Sequence, residues 1–292
     1  MWIVCECGAT KSDWRVMDGD KQIEQIVTDG INVSTMSEDA IGSKIVEAVS
    51  RMPSGEYGSV FFYAAGVLSP TVSALVTSLL IERLGAGNVE IQTDLIAAAR
   101  AACGHEPGIA AILGTGSSTC QFDSRTIVKR VNAGGFILGD DGSASVIGKL
   151  FISDFIKGLV PPSLSEEFSS AFDVDYPTIV KNVYNSQGSP SGYLGSFCPF
   201  IIAHYRDPYV ERLVDGSLRA FIERNLRQYE IDKYPVGVIG GFGYAIRDIL
   251  APLFEEYGIK VKGYFPSPIE ELVKYHLEDQ CNTVSSICGS SE

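Results

Sequence analysis

At 292 residues, with 45% apolar and 20% charged side chains, the chain is long enough for one large or two medium domains, and its composition excludes a disordered or fibrous protein. A formal charge of −13 with only 23 Lys and Arg argues against a nucleic-acid backbone or an anionic membrane as partner, because both need clustered cations. A nucleotide ligand would have to be met by backbone dipoles, a metal and very few side chains, with Lys11 the best placed, and a co-substrate is expected to be neutral.

The first predicted strand is 2–7, followed by strands over 13–17 and Lys21 to Thr28, an antiparallel meander joined by a Ser/Thr/Gly turn and by Asp18-Gly19-Asp20. A helix is expected from Glu38 to Arg51, with Ile41, Ile45, Val46 and Val49 at helical spacing. A strand at 60–63, a helix from Ser69 to Leu84, a strand at 89–92 and an Ala-rich helix from Leu95 to Cys103 follow. Asp94 stands between that strand and that helix. The stretch Cys103 to Gly108 reads as a hinge between domains 1–105 and 106–281.

From Gly108 the same order begins again: strands at 109–113, 119–123 and 127–132, then much later a strand at 236–239, a helix from Tyr244 to Tyr257, a strand at 260–264 and a last helix from Pro268 to Glu278. Between them lies a mostly helical insertion over about 142–234, including 150–157 and 210–229, with an exposed loop at 187–192. The last helix is free to return and pack on the first domain, and 282–292 reads as a flexible tail. The expected fold is a duplicated α/β unit with a mixed five-stranded sheet in each half.

Three turns carry the chemistry: Glu6 to Ser12, Gly114 to Ser118 and Gly240 to Gly243 each follow an apolar, β-branched run. A Gly, Ser and Thr turn leaves backbone N–H groups unpaired beside hydroxyls, which makes a concave anion site suited to phosphate. The plain alternative is a tight hairpin. Seven scattered cysteines give no disulfide framework and point to a reducing compartment. Cys5-Glu6-Cys7 lacks a second ligand pair, so buried alternating thiols are expected. The opening apolar run is too short for a signal peptide, and no apolar stretch reaches about 18 residues, so a cytoplasmic protein without a membrane span is expected.

Taken in order, the first loop, Asp94 in Gln92 to Ala99, the second loop Ile112 to Ser117, the segment Gly134 to Ser143 and Val238 to Gly241 resemble the actin, sugar-kinase and heat-shock ATPase superfamily. Within it the chain resembles the BadF/BadG and N-acetylglucosamine kinase-like family, across nearly its whole length. The resemblance implies two ribonuclease H-like, actin-like ATPase domains with a nucleotide cleft between them, closing about the hinge. It implies ATP and Mg²⁺ as cofactors, a sugar or amino sugar as the small-molecule partner, and allows a homodimer. Gly8, Thr10, Lys11 and Ser12 would meet the transferred phosphate, Gly114, Thr115, Gly116 and Ser117 the neighbouring ones, Gly240 and Gly241 the adenosine, and Glu6 the metal. Asp94 would be the general base, with an N-cap as its plain alternative. Asn32, Gly66, Gly135 and Asp140, together with Asp94, would hold the sugar, Asn32 alternatively being a turn residue.

The chain departs from the family pattern at four places: Glu6 stands where Asp is usual, Thr93 where Asn often precedes the base, Gly135-Phe136 where Gly-Trp-Gly is common, and Ala64-Ala65-Gly66 where a serine turn helps read the sugar. Beside the amino-sugar kinase reading stand two others, an activator ATPase of 2-hydroxyacyl-CoA dehydratases, which would need interface cysteines such as Cys103, Cys120 or Cys198 for an iron–sulfur cluster, and a nucleotide or sugar sensor without transfer.

Overall fold

The computed structural model describes the chain except residues 9–10, 32, 34–35, 65–68, 186–187 and 289–292, with backbone alone at 185 and 280–288. By their internal contacts the residues divide into two units, Met1–Glu106 with Ser124–Thr126 and Ser267–Glu292, and Pro107–Asp123 with Ile127–Pro266.

In the first unit, β1 (Trp2–Cys7), β2 (Lys11–Asp18), β3 (Lys21–Asp29), α1 (Glu38–Ser50), β4 (Ser59–Ala64), α2 (Pro70–Leu84), β5 (Asn88–Thr93) and α3 (Asp94–Cys103) follow one another. Among the described residues the sheet has five strands in the order β3-β2-β1-β4-β5, antiparallel through the meander and parallel from β1 to β5. The side-chain period of two divides β1 cleanly. Ile3, Cys5 and Cys7 join Trp14, Val16, Ile41, Ile45, Val76 and Leu80 in the core under α1 and α2. Cys5 and Cys7 are free thiols whose sulfurs lie 3.2 Å apart on that face. Ser37 caps α1, and Ser69 caps α2 with Pro70 in its first turn.

In the second unit, β6 (Gly108–Leu113), β7 (Ser117–Phe122), β8 (Ile127–Val131), α4 (Gly135–Leu138) and α5 (Ala144–Phe155) lead into the insertion. There α6 (Pro162–Ala171), α7 (Tyr176–Val180), a π-turn at Lys181–Asn185, α8 (Pro190–Gly195), α9 (Cys198–Ala203), α10 (Pro208–Arg224) and a 3₁₀ turn at Leu226–Gln228 are followed by β9 (Val236–Ile239), α11 (Gly241–Ala245), α12 (Arg247–Glu256) and β10 (Val261–Phe265). The described sheet runs β10-β9-β6-β7-β8, the same arrangement as the first. Ile109, Ala111 and Leu113 pack against Ile147 and Phe151 of α5 and Phe221 of α10, and the insertion is held by Phe151, Phe168, Phe172, Phe197 and Phe200 in edge-to-face and tilted contact.

Four details differ from the sequence expectation. The loop at 187–192 becomes α8 from Pro190 onward, because Ser189 caps it and Pro190 is preset for a first turn. The helix 244–257 is broken at Ile246 into α11 and α12. The helix expected over 210–229 stops at Arg224 and gives way to a 3₁₀ turn. Finally α13 (Ile269–Cys288) does not stop at Glu278, and it carries through most of the segment expected as a tail. No Gly or Pro interrupts it before Gly289. Helix α13 packs with α3 and on β1 in the first unit, where His276 stacks on Phe61 at 3.6 Å.

Candidate active site

The face of the first sheet turned to α3 and α13 carries the polar groups. Strand register places Glu6 of β1 directly opposite Asp13 of β2 and Tyr63 of β4, and Tyr63 opposite Gln92 of β5. Asp13 is buried and fully engaged, accepting from Arg15 Nε at 2.8 Å and from Gln25 Nε2, while Arg15 also reaches Glu270 of α13 at 2.8 Å. Among the described residues Glu6 has no such partner. Burial pushes its carboxyl up to about 7, against the pull of the Lys11 ammonium, and the negative charges of Asp13 and Asp94 push it further. Glu6 and Asp94, far apart in sequence, therefore share one electrostatic neighbourhood.

Asp94 occupies the first turn of α3 and is not its cap. Thr93 caps the helix, its hydroxyl accepting from the Ile96 N–H at 3.3 Å, so the capping bond does not fall to Asp94. Burial raises the Asp94 carboxyl above the ordinary aspartate range, opposed by the N–H groups of Leu95 and of Asp94 itself. A carboxylate so placed is a stronger base than an exposed one. Helix α3 is anchored from behind: Arg100 donates to the Tyr63 hydroxyl at 2.6 Å and pairs with Glu90 at 2.7 Å. Tyr63 Oη lies 2.7 Å from Nε2 of His276. Burial, then the Arg100 and His105 charges, pushes His276 down to about 3 and keeps it neutral within hydrogen-bond distance of the Tyr63 hydroxyl.

The first turn closes with the Gly8 N–H donating to the Lys11 carbonyl at 2.9 Å. Lys11 is exposed. Ser12, expected to meet phosphate, is buried with its hydroxyl donating to the Asp29 carbonyl at 3.2 Å, because β2 turns it onto the opposite face from Asp13. Thr10, Asn32 and Gly66 lie outside the described residues.

In the second unit the loop Gly114–Ser117 is held from one side by the segment that follows it. Ala144 and Ser145 N–H groups at the start of α5 donate to the Gly114 and Thr115 carbonyls at 3.1 Å, and the Ser117 hydroxyl donates to the Asp141 carbonyl at 3.0 Å. The Ser117 N–H donates to the carboxylate of Asp140, whose carboxyl is raised by burial. Asp140 adopts φ +51, the left-handed region that a non-glycine residue rarely holds without support. That support comes from Gly139, where a Cβ would stand 1.8 Å from the Ala133 carbonyl oxygen that accepts the Asp140 N–H. Gly135 opens α4 with nothing within 4 Å of its Cβ position. Thr115 is exposed at the crown of the loop.

Gly240 joins the third turn to the second. Its φ is +125, and a Cβ there would be 2.4 Å from the Leu113 carbonyl oxygen and 3.5 Å from the Gly114 N, so only glycine lets β9 lie this close to the loop. Gly241 begins α11 directly after it. Each unit thus carries one glycine-containing turn with a raised carboxyl beside it.

Asp13, Tyr63, Arg100 and His276 were not legible as site residues. The alternation of Asp13 with Arg15 in a strand was the one available signal, and the Tyr63–His276 contact joins residues too distant for any local pattern.

No protein-family model matches the chain, and no curated protein matches it. Among solved structures, the "Putative N-acetylglucosamine Kinase" of Porphyromonas gingivalis is 32% identical, with a TM-score of 0.89 over 96% of this chain and 100% of that one. The chain belongs to the N-acetylglucosamine kinase-like family of the actin and sugar-kinase superfamily. The "Putative N-acetylglucosamine Kinase" of Chromobacterium violaceum, 17% identical over 94% of this chain and 98% of its own with a TM-score of 0.72, shares the fold of this family. So does a ROK family glucokinase from Streptomyces griseus in complex with glucose and AMPPNP, 15% identical over 94% of this chain and 97% of its own with a TM-score of 0.53. The two units with their mixed five-stranded sheets are the actin-like ATPase fold.

Proposed function

We propose that the protein is an ATP-dependent carbohydrate kinase that transfers phosphate to a sugar hydroxyl, with N-acetylglucosamine or a related amino sugar as acceptor. The observation that carries this reading is Asp94, in the first turn of α3, raised by burial and within electrostatic reach of Glu6, in a chain 32% identical to its Porphyromonas relative.

Because phosphoryl transfer passes through a loose transition state, most of the acceleration comes from positioning and charge neutralisation. Asp94 takes the proton from the attacking hydroxyl. The Gly8 and Lys11 turn receives the transferred phosphate, with Thr10 beside them, and Gly114, Thr115 and Gly116 receive its neighbours. Gly240 and Gly241 carry the adenosine. Asp140 keeps one lone pair on the Ser117 N–H and offers the others to sugar hydroxyls, and Gly135, Asn32 and Gly66 are the further sugar-binding residues of this reading.

Mg²⁺ fits Glu6. A carboxyl held near 7 by burial and by two like-charged neighbours is relieved by a cation, and Mg²⁺ takes one or two carboxylates while keeping phosphate and water as its other ligands. Bound there, it would neutralise phosphate charge. A cytoplasmic location, a homodimer and placement in the BadF/BadG branch complete the reading. Among the described residues no helix is long and apolar enough to cross a membrane. Cys103, Cys120 and Cys198, the thiols that reading would use, are each buried, which weighs against the activator reading.

The test is ADP release with ATP and Mg²⁺ across neutral hexoses and N-acetylated amino sugars. One sugar that raises turnover well above basal hydrolysis, with the gain lost in Asp94→Asn, supports the kinase. A flat, low rate in every well overturns it.

A further inference from the structure

Helix α4 is weakly supported by packing. It has no buried residue, Phe136 alone of its side chains packs against the core, and Ile137 and Leu138 are 72% and 79% exposed. Cavities of about 640 Å³ and about 450 Å³, both lined by Ile137 and Lys149, open beside it. Its entry is loose as well: Gly134 and Gly135 adopt φ +78 and +67, a backbone that glycine holds without strain and without a side chain to pack. Side-chain packing therefore does little to fix the set of this turn, although the turn leads directly into Asp140.

Helix α5 is the fixed point beside it. It is buried from Ala144 to Gly148, its first N–H groups are bonded to the second loop, and a Cβ at Gly148 would stand 2.0 Å from the Leu194 carbonyl oxygen. From this helix Lys149 reaches across and donates to the Phe136 carbonyl of α4. A helix of four residues leaves its last carbonyls without donors of its own, and an ammonium is a strong donor to such a group. The backbone carries that hold onward: the Gly139 N–H returns to the Gly135 carbonyl and the Asp140 N–H to the Ala133 carbonyl. The charge of Lys149 acts on the same residue. Burial raises the Asp140 carboxyl, the Ser117 N–H draws it down, the Asp141 charge raises it and the Lys149 ammonium draws it down. Asp141 is itself paired with Arg224 of α10 at 2.7 Å.

We propose that Lys149 is a positioning residue for the acceptor sugar: by holding the Phe136 carbonyl it sets α4 and, with it, the Asp140 carboxylate that receives the sugar hydroxyls. The effect on the sugar rests on the substrate reading of Asp140, whereas the tie between α5 and α4 does not.

Hydrogen exchange of the full chain tests the tie without any sugar. In Lys149→Met the Gly139 and Asp140 amides are expected to exchange roughly tenfold faster than in the parent while those of α5 stay unchanged, and Lys149→Arg should restore slow exchange. Unchanged exchange at Gly139 and Asp140, or faster exchange spread through α5, overturns the proposal. Steady-state kinetics with ATP, Mg²⁺ and N-acetylglucosamine, or whichever sugar the acceptor panel selects, tests the consequence. The KM for the sugar should rise roughly tenfold in Lys149→Met, with kcat and the KM for ATP within a few-fold, and Lys149→Arg should stay near the parent. The rise should be largest at acid pH, because without the ammonium Asp140 takes up its proton at a higher pH. In an Asp140→Asn background Lys149→Met should add no further loss. A sugar KM indifferent to Lys149→Met, or losses that add in the double variant, overturns the proposal and leaves the kinase reading standing. A sugar KM unmoved by Asp140→Asn removes Asp140 from the substrate and the proposal with it, and a parent that no sugar stimulates overturns both readings.

Discussion

Asp140 closes over Gly116: its Oδ2 stands 2.8 Å from where a Cβ at Gly116 would be, and its carboxylate accepts the Ser117 N–H. A methyl group at Gly116 must push that carboxylate away. Gly116→Ala is therefore expected to weaken nucleotide binding by roughly tenfold or more, the loss of one charged hydrogen bond with its strain. Adding Asp140→Ala should remove the clash, so the double variant falls short of the sum of the single effects, measured as AMPPNP affinity in a double-mutant cycle. Strict additivity would mean that the two residues do not touch in solution.

Asp94→Asn keeps the shape of the side chain and removes its basicity. Turnover with the acceptor sugar is expected to fall by about 10² to 10⁴, while the KM for ATP stays within a few-fold. A parallel loss of ATP affinity would assign Asp94 to nucleotide binding instead.

Glu6 holds its proton more tightly in the folded chain, about 7 against an ordinary 4.5. Between those values the folded protein keeps a proton that the unfolded chain has released, so stability falls as pH rises through that window, by on the order of 3 kcal/mol at most. Glu6→Gln removes the titration. Its urea midpoint, compared with that of the parent, should gain as pH goes from about 5 to about 8, while its turnover with Mg²⁺ and ATP drops. A pH-independent difference in midpoint would show that Glu6 titrates normally.

Tyr63→Phe deletes the hydroxyl that joins Arg100 to His276 and leaves both buried groups without it. A loss of about 1–3 kcal/mol in urea denaturation is expected. The variant should retain its acceptor preference, since the network lies behind α3 and not at its N-terminus.

The strands and their order were legible because apolar, β-branched runs alternate with polar turns at regular intervals, and β1 and α1 fall within a residue of their expected bounds. The place of Asp94 between a strand and a helix was legible, although its neighbour Thr93 took the capping role. The face that Ser12 takes was not: strand register turns it away from Asp13, with its hydroxyl on the Asp29 carbonyl. The cluster of Glu6 with Asp13 and Asp94 needs three separate elements to converge, and nothing local announces it. The same holds for α13, whose polar Ser and Thr residues read as a tail and whose helix depends on no breaker appearing before Gly289.

Helix α13 has a consequence for the order of synthesis. It covers the polar face of the first sheet through His276 on Phe61 and Glu270 on Arg15, yet it leaves the ribosome only after all of Pro107–Pro266. The nascent first unit must wait, with that face wet and Arg15 short of a partner, while the second unit has every strand it needs. Chains truncated after Pro266 and released are expected to show protease-resistant second units beside cleavable first ones, and pulse proteolysis of such truncated chains would reveal the reverse order if the first sheet matures alone.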